Sequence, residues 1–207
     1  MKPYKTIAAE ASDEFVEKKS RFIGHVCPVA TEEEAQAFVA AKKAKYWDAT
    51  HNVWAYILQV GQTKRYSDDG EPQGTAGVPV LDVLQKEGLT DLVVVVTRYF
   101  GGTLLGAGGL VRAYSHGAKI AVDAARILHM NPCTVLEMEL EYGLYGKVSY
   151  ILPRYNAQVL SSDFGAAVQL RVMMTSDRVS SFQKELGELT AGSVIPRVAE
   201  ELCADLQ

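Results

Sequence analysis

Cysteine is scarce in this chain, and what there is does not pair. Cys27, Cys133 and Cys203 are odd in number, far apart and without CxxC spacing. That excludes a disulfide framework and a cysteine zinc site, and it points to reduced thiols in a cytoplasmic protein. Long apolar runs are missing too. No stretch approaches 18 apolar residues, so no transmembrane helix and no membrane partner is expected. The opening MKPYKTIAAEASDEF is charged and has no apolar core, so it is not expected to act as a secretory signal. The G-x-S-x-G, H-E-x-x-H and H-x-H patterns are all absent. No catalytic residue, metal ligand set or cofactor is therefore assigned. Charge of one sign is lacking in the first part of the chain. Residues 1–132 balance basic against acidic side chains, and the net −4 falls on the remainder. This argues against nucleic-acid binding by the whole molecule but leaves room for a local basic patch.

What is present is centred on Leu92 to Arg112, LVVVVTRYFGGTLLGAGGLVR. Val93 to Val96 lacks polar alternation, as expected of a central strand covered on both faces. Five glycines follow the Arg98-Tyr99-Phe100 end of that strand: Gly101, Gly102, Gly106, Gly108 and Gly109. A helix begins behind them. Such a loop has two readings: a tight turn that lets helix and strand approach closely, or an anion site on the free N–H groups of a helix N-terminus. It matches neither dinucleotide fingerprint nor P-loop, because Ala107-Gly108 stands where Lys-Ser/Thr is needed.

The remaining pattern is α+β. Strands are expected over Thr6 to Phe15, Arg21 to Val29 and Asn52 to Val60, with a charged turn at Glu17 to Arg21. A helix capped by Thr31, with Glu34 completing a capping box, should run to Tyr46. Lys64 to Pro79 is polar and rich in turn residues, and Thr75 is expected to cap a short helix stopped by Gly88. A helix from Gly109 to Leu128 should bury Leu110, Tyr114, Ala118, Ala121, Ala125 and Leu128. Its other face carries Arg112, His116, Lys119 and Arg126, which is either a solvated face or a phosphate-contacting stripe. Asn131-Pro132 reads as the break after that helix, dividing a domain over 1–130 from one over 133–207. Beyond the break the order is βαββαβ, the split pattern of ferredoxin-like folds, with Asp163-Phe164-Gly165 at a hairpin tip and Ser176 capping the last helix.

Two motifs stand close together: Ser67 to Pro79, SDDGEPQGTAGVP, and Val93 to Tyr114. Together they resemble the signatures of the IMPACT family. The resemblance implies a first domain similar to domain 2 of ribosomal protein S5. It implies a second, ferredoxin-like domain similar to the last domain of elongation factor G. The eukaryotic namesake acts by binding an activator of the kinase that senses amino-acid starvation. The family offers no catalytic residue to carry over.

The functional expectation is a non-enzymatic, translation-linked regulator with RNA, the ribosome or a regulatory protein as partner. Its ligand- or anion-binding residues would be Arg98, Tyr99, Gly101, Gly102, Gly106, Gly108, Gly109, Arg112 and Lys119, since cations beside aromatic rings suit phosphates and bases. The signature loop, with Ser67, Asp68, Asp69, Gly70, Glu71, Pro72, Gly74 and Thr75, is expected to share a surface with the Arg98 strand end. The alternative is a phospho-ligand- or metal-dependent enzyme using the glycine loop and the Asp68–Glu71 carboxylates. Those acids also fit an ordinary solvated turn. His51 and His116 show no carboxylate partner in the sequence.

Overall fold

The computed structural model describes residues 1–206. The chain divides into two compact units, Tyr4 to Leu128 and His129 onward, the latter taking in Met1 to Pro3.

The first unit contains β1 (Tyr4–Ile7), β2 (Ala11–Glu17), β3 (Ser20–Pro28), α1 (Glu32–Lys45), β4 (His51–Ile57), β5 (Lys64–Ser67), α2 (Gly77–Glu87), β6 (Leu92–Tyr99) and α3 (Ala107–Asp123). Its sheet has the order β2-β3-β6-β4-β5, antiparallel throughout. The valine run is the central strand. Leu92, Val94 and Val96 face the cluster built with α2 and α3, whereas Val93 and Val95 face α1. Both faces are dry, which is why the run has no polar alternation.

Local signals explain most of the boundaries. Thr31 Oγ1 accepts from Glu34 N at 3.2 Å, and the Glu34 carboxylate reaches back to Ala30 N at 2.7 Å, one residue earlier than in a standard box. Helix α3 lies directly on β3. A Cβ at Gly24 would stand 2.1 Å from the Gly117 carbonyl oxygen, so the two backbones touch and only glycine fits.

Several expectations are corrected. The first strand is two strands, broken at residues 8–10. Thr75 does not cap α2; its hydroxyl donates to the Pro72 carbonyl at 2.6 Å. Helix α3 ends at Asp123, and Leu128 belongs to the strand that follows. Asn131-Pro132 does not end that helix: it lies inside the strand, just beyond the division of the chain after Leu128.

In the second unit, β7 (Ile127–Leu140) continues from the end of the first. It is followed by α4 (Tyr142–Ile151), β8 (Gln158–Phe164), β9 (Val168–Thr175), α5 (Val179–Leu189) and β10 (Arg197–Asp205). The order β10-β7-β9-β8, all antiparallel, is the ferredoxin-like arrangement of a βαββαβ chain. Pairing of β9 with β7 begins only at Cys133, so Pro132 stands where β7 has not yet gained that neighbour, an edge position that proline tolerates. Asp163 and Phe164 belong to β8, and the turn sits at residues 165–167. Ser176 opens a short 3₁₀ turn ahead of α5 and hydrogen-bonds Thr134 instead of capping the helix. Leu136, Met138, Leu140, Phe182 and Leu186 form the core on the helix-covered face.

Candidate functional site

The signature loop and the end of β6 meet in the first unit, through a buried ion pair. Strand alternation turns Arg98 toward α3, on the same side as Val94 and Val96. Its Nη1 donates to Glu71 Oε1 at 2.6 Å, with both side chains at most 6% exposed. The Tyr114 hydroxyl, from α3, donates to the same oxygen at 2.7 Å. Burial and the neighbouring Glu71 carboxylate push the Tyr114 phenol far up, so it stays a donor at any ordinary pH. Strand β4 brings a third group: His51 Nε2 is 3.8 Å from Glu71 Oε2, and His51 Nδ1 hydrogen-bonds the Asp69 carbonyl oxygen at 2.7 Å. His51 thus has a carboxylate neighbour that the sequence did not reveal.

The acids of the loop have separate structural tasks. Asp68 accepts from Gly74 N at 2.9 Å, Ala76 N at 3.2 Å and Gly77 N at 2.8 Å, which makes it the cap of α2. Asp69 pairs with Lys43 at 2.5 Å and accepts from Asn52 N at 2.6 Å; Ser67 Oγ accepts in turn from Asp69 N at 3.1 Å. Glu71 is buried. The picture of an exposed, merely solvated acidic turn is therefore corrected. The three carboxylates engage different partners and do not converge. Among the described residues no three His, Cys, Asp or Glu side chains lie together as a metal site.

The expected ligand residues are not all brought together. Arg98 is not a free cation, because Glu71 neutralises it. Tyr99 points to the other face of the sheet and donates to Asp48 at 2.9 Å. Lys119 is held by Glu87 at 3.2 Å and by Asp123. Gly101 is dictated by packing: a Cβ there would meet the backbone carbonyl carbon of Lys19 at 2.0 Å. What remains around the glycine loop is a pair of depressions. One, of about 430 Å³, is bordered by His51, Glu71, Pro72, Arg98, Phe100, Leu104, Leu105, Gly106 and Ala107. The other is bordered by Phe15, Glu17, Lys18, Gly109, Arg112 and His116. Phe100 is the ring of the Tyr99-Phe100 pair that strand alternation sends away from Tyr99; Leu104 and Leu105 carried no such signal in the sequence.

The turn between β2 and β3 is the second unusual feature. It is a two-residue hairpin in which Lys18 (φ 45°) and Lys19 (φ 69°) are both left-handed. Asn-Gly would hold this geometry with less strain, since non-glycine residues at positive φ are disfavoured by about 1 kcal/mol each. Both lysines are exposed, as is Arg112, and none of the three has an ion-pair partner among the described residues.

The comparisons agree with this architecture. Residues 18–122 match the Impact N-terminal domain, and residues 138–193 match a domain of unknown function, DUF1949. The chain is 36% identical to the IMPACT family member YvyE of Bacillus subtilis over 91% of this chain and 88% of that one. It is 36% identical to the IMPACT family member YigZ of Escherichia coli over 89% of this chain and 92% of that one. A crystal structure described only as that of a hypothetical protein superposes with a TM-score of 0.61 at 34% identity, covering 97% of this chain and 98% of the other. No helix among the described residues is long and apolar enough to cross a membrane.

Proposed function

The chain belongs to the IMPACT family, and from that premise we propose that it is a non-enzymatic regulatory protein that docks on RNA, free or ribosomal, through Lys18, Lys19 and Arg112. The observation that carries this reading is the Lys18-Lys19 turn. Two cations occupy the left-handed positions where Asn-Gly would be less strained, and strain retained at an exposed site points to a use for those side chains. Gly101 packs against the same turn and donates its N–H to Ser20 Oγ at 3.2 Å, which sets the start of the glycine loop beside the cations. Phosphates accept from Lys and Arg side chains alike. Glu17 is the acid at this groove, and it leaves the set net positive. The buried Glu71–Arg98–Tyr114 group supports a binding role over an enzymatic one, because those side chains are committed to one another.

The test is fluorescence anisotropy with single-stranded RNA and with ribosomal subunits. It compares the wild type with the triple variant Lys18→Asn/Lys19→Gly/Arg112→Gln. Three phosphate contacts imply a log–log salt slope of about −2, or roughly a twentyfold loss between 50 and 200 mM salt. The variant should melt no lower than wild type, because it relieves strain, and should bind markedly more weakly. Binding that ignores salt or the three substitutions overturns the RNA reading. Capture of a protein in its place would assign the regulatory role to a protein partner.

A further inference from the structure

The 430 Å³ cleft on the Glu71–Arg98 side of the glycine loop shares only Leu105 with the basic groove, and its chemistry differs. We propose that it binds a small organic anion. A carboxylate or phosphate head would sit at the first turn of α3, and an apolar body would lie along Pro72, Phe100, Leu104 and Leu105.

Helix α3 is 17 residues long and enters the cleft uncapped. Its N-cap is Gly106, which has no side chain to offer, and nothing among the described residues accepts from the N–H groups of Ala107, Gly108 or Gly109. Those donors and the positive end of the helix dipole favour an anion. A second observation is independent of the helix. Arg98 borders the cleft at 5% exposure, and its Nε is one of only two buried side-chain nitrogen or oxygen atoms among the described residues that lack a partner. Its Nη1 is already bound to Glu71, so that carboxylate is neutralised before any ligand arrives. Thirdly, the cleft has an exposed apolar border: Leu104 is 82% exposed and Phe100 is 45% exposed. An exposed Phe and Leu beside a bare helix terminus fit a ligand that has an apolar body as well as a charge. The volume lies within the range of small-molecule sites. This reading goes beyond the RNA-docking proposal: Gly109 borders that groove too, but the anion site does not use Lys18, Lys19 or Arg112, so either can fail alone.

The test is titration of the ¹⁵N-labelled full chain with phenylacetate and phenyl phosphate, with benzyl alcohol and inorganic phosphate as controls, read on backbone amides and the Arg98 Nε–H. Both organic anions should give saturable shifts at Ala107, Gly108 and Gly109 and at Phe100, larger than either control. The diagnostic variant is Gly108→Asp. A Cβ at Gly108 would meet nothing closer than Arg112 Nη1 at 3.7 Å, so the side chain fits. Its carboxylate would cap the helix itself. It should hold or raise the melting temperature while weakening the organic anions about tenfold. Equal shifts with benzyl alcohol would reduce the cleft to an apolar slot and overturn the anion site. Equal affinity for inorganic phosphate would overturn the apolar half. No saturable shift at millimolar concentration, or no effect of Gly108→Asp on binding, would overturn the proposal as a whole.

Discussion

Replacing Arg98 with methionine tests whether the Glu71–Arg98 pair anchors the site. Methionine keeps the apolar stem and deletes the guanidinium, leaving Glu71, 4% exposed, with Tyr114 as its remaining close donor. Stranding one member of a buried pair typically costs about 3–5 kcal/mol, most of it the penalty of an uncompensated charge. Glu71→Gln in the same background removes that charge while its carbonyl oxygen can still accept from Tyr114. The double variant should therefore be less destabilised than the sum of the singles, by about 1–3 kcal/mol. The assay is urea unfolding followed by tryptophan fluorescence. The only tryptophans, Trp47 and Trp54, both lie in the first unit, so the signal reports that unit alone. With a urea slope of about 2 kcal/mol per M, Arg98→Met should lower the midpoint by roughly 2 M. A loss of binding in an Arg98 variant is then first a loss of structure. The reasoning is refuted if Arg98→Met shifts the midpoint by less than about 0.5 M, or if the cycle shows no coupling.

Two further outcomes are expected. His25 is 2% exposed and stacked on Tyr46, and burial, with Lys42 and Lys45 nearby and Glu10 opposing, pushes its pKa down to about 4. Between that value and the ordinary 6.5 the unfolded chain takes up a proton that the folded chain refuses. Stability from this group is thus complete above pH 6.5 and falls as pH drops toward 4, by about 3 kcal/mol in all. His25→Phe, which keeps the stacking, should flatten that part of the pH–stability profile. Asp68→Ala removes the acceptor for the Gly74 N–H and for the Ala76 and Gly77 N–H groups at the start of α2, and should cost about 1–2 kcal/mol in the same urea assay, with Asp68→Asn costing less.

Patterns of nearest neighbours made much of the fold legible. The unbroken valines of β6 could only be a strand covered twice, Thr31 with Glu34 marked the start of α1, and the βαββαβ order of the second unit followed from short-range periodicity and turn residues. Family membership was legible as well, because its two motifs are contiguous strings. Periodicity failed where a helix and a strand share apolar residues: Ala125 and Leu128 fit the helical face of α3, yet the chain has already left the helix at Asp123. Nor could the sequence show that Asp68, Asp69 and Glu71, adjacent in the chain, part company to cap a helix, hold Lys43 and neutralise Arg98. That divergence depends on β4, β6, α1 and α3 arriving around the loop from 17 to 43 residues away in the chain. Composition identified the site's charged residues. Only the packed structure decided which charges are spent on one another and that Lys18, Lys19 and Arg112 have no ion-pair partner among the described residues, because pairing is set by distance in space and not by order along the chain.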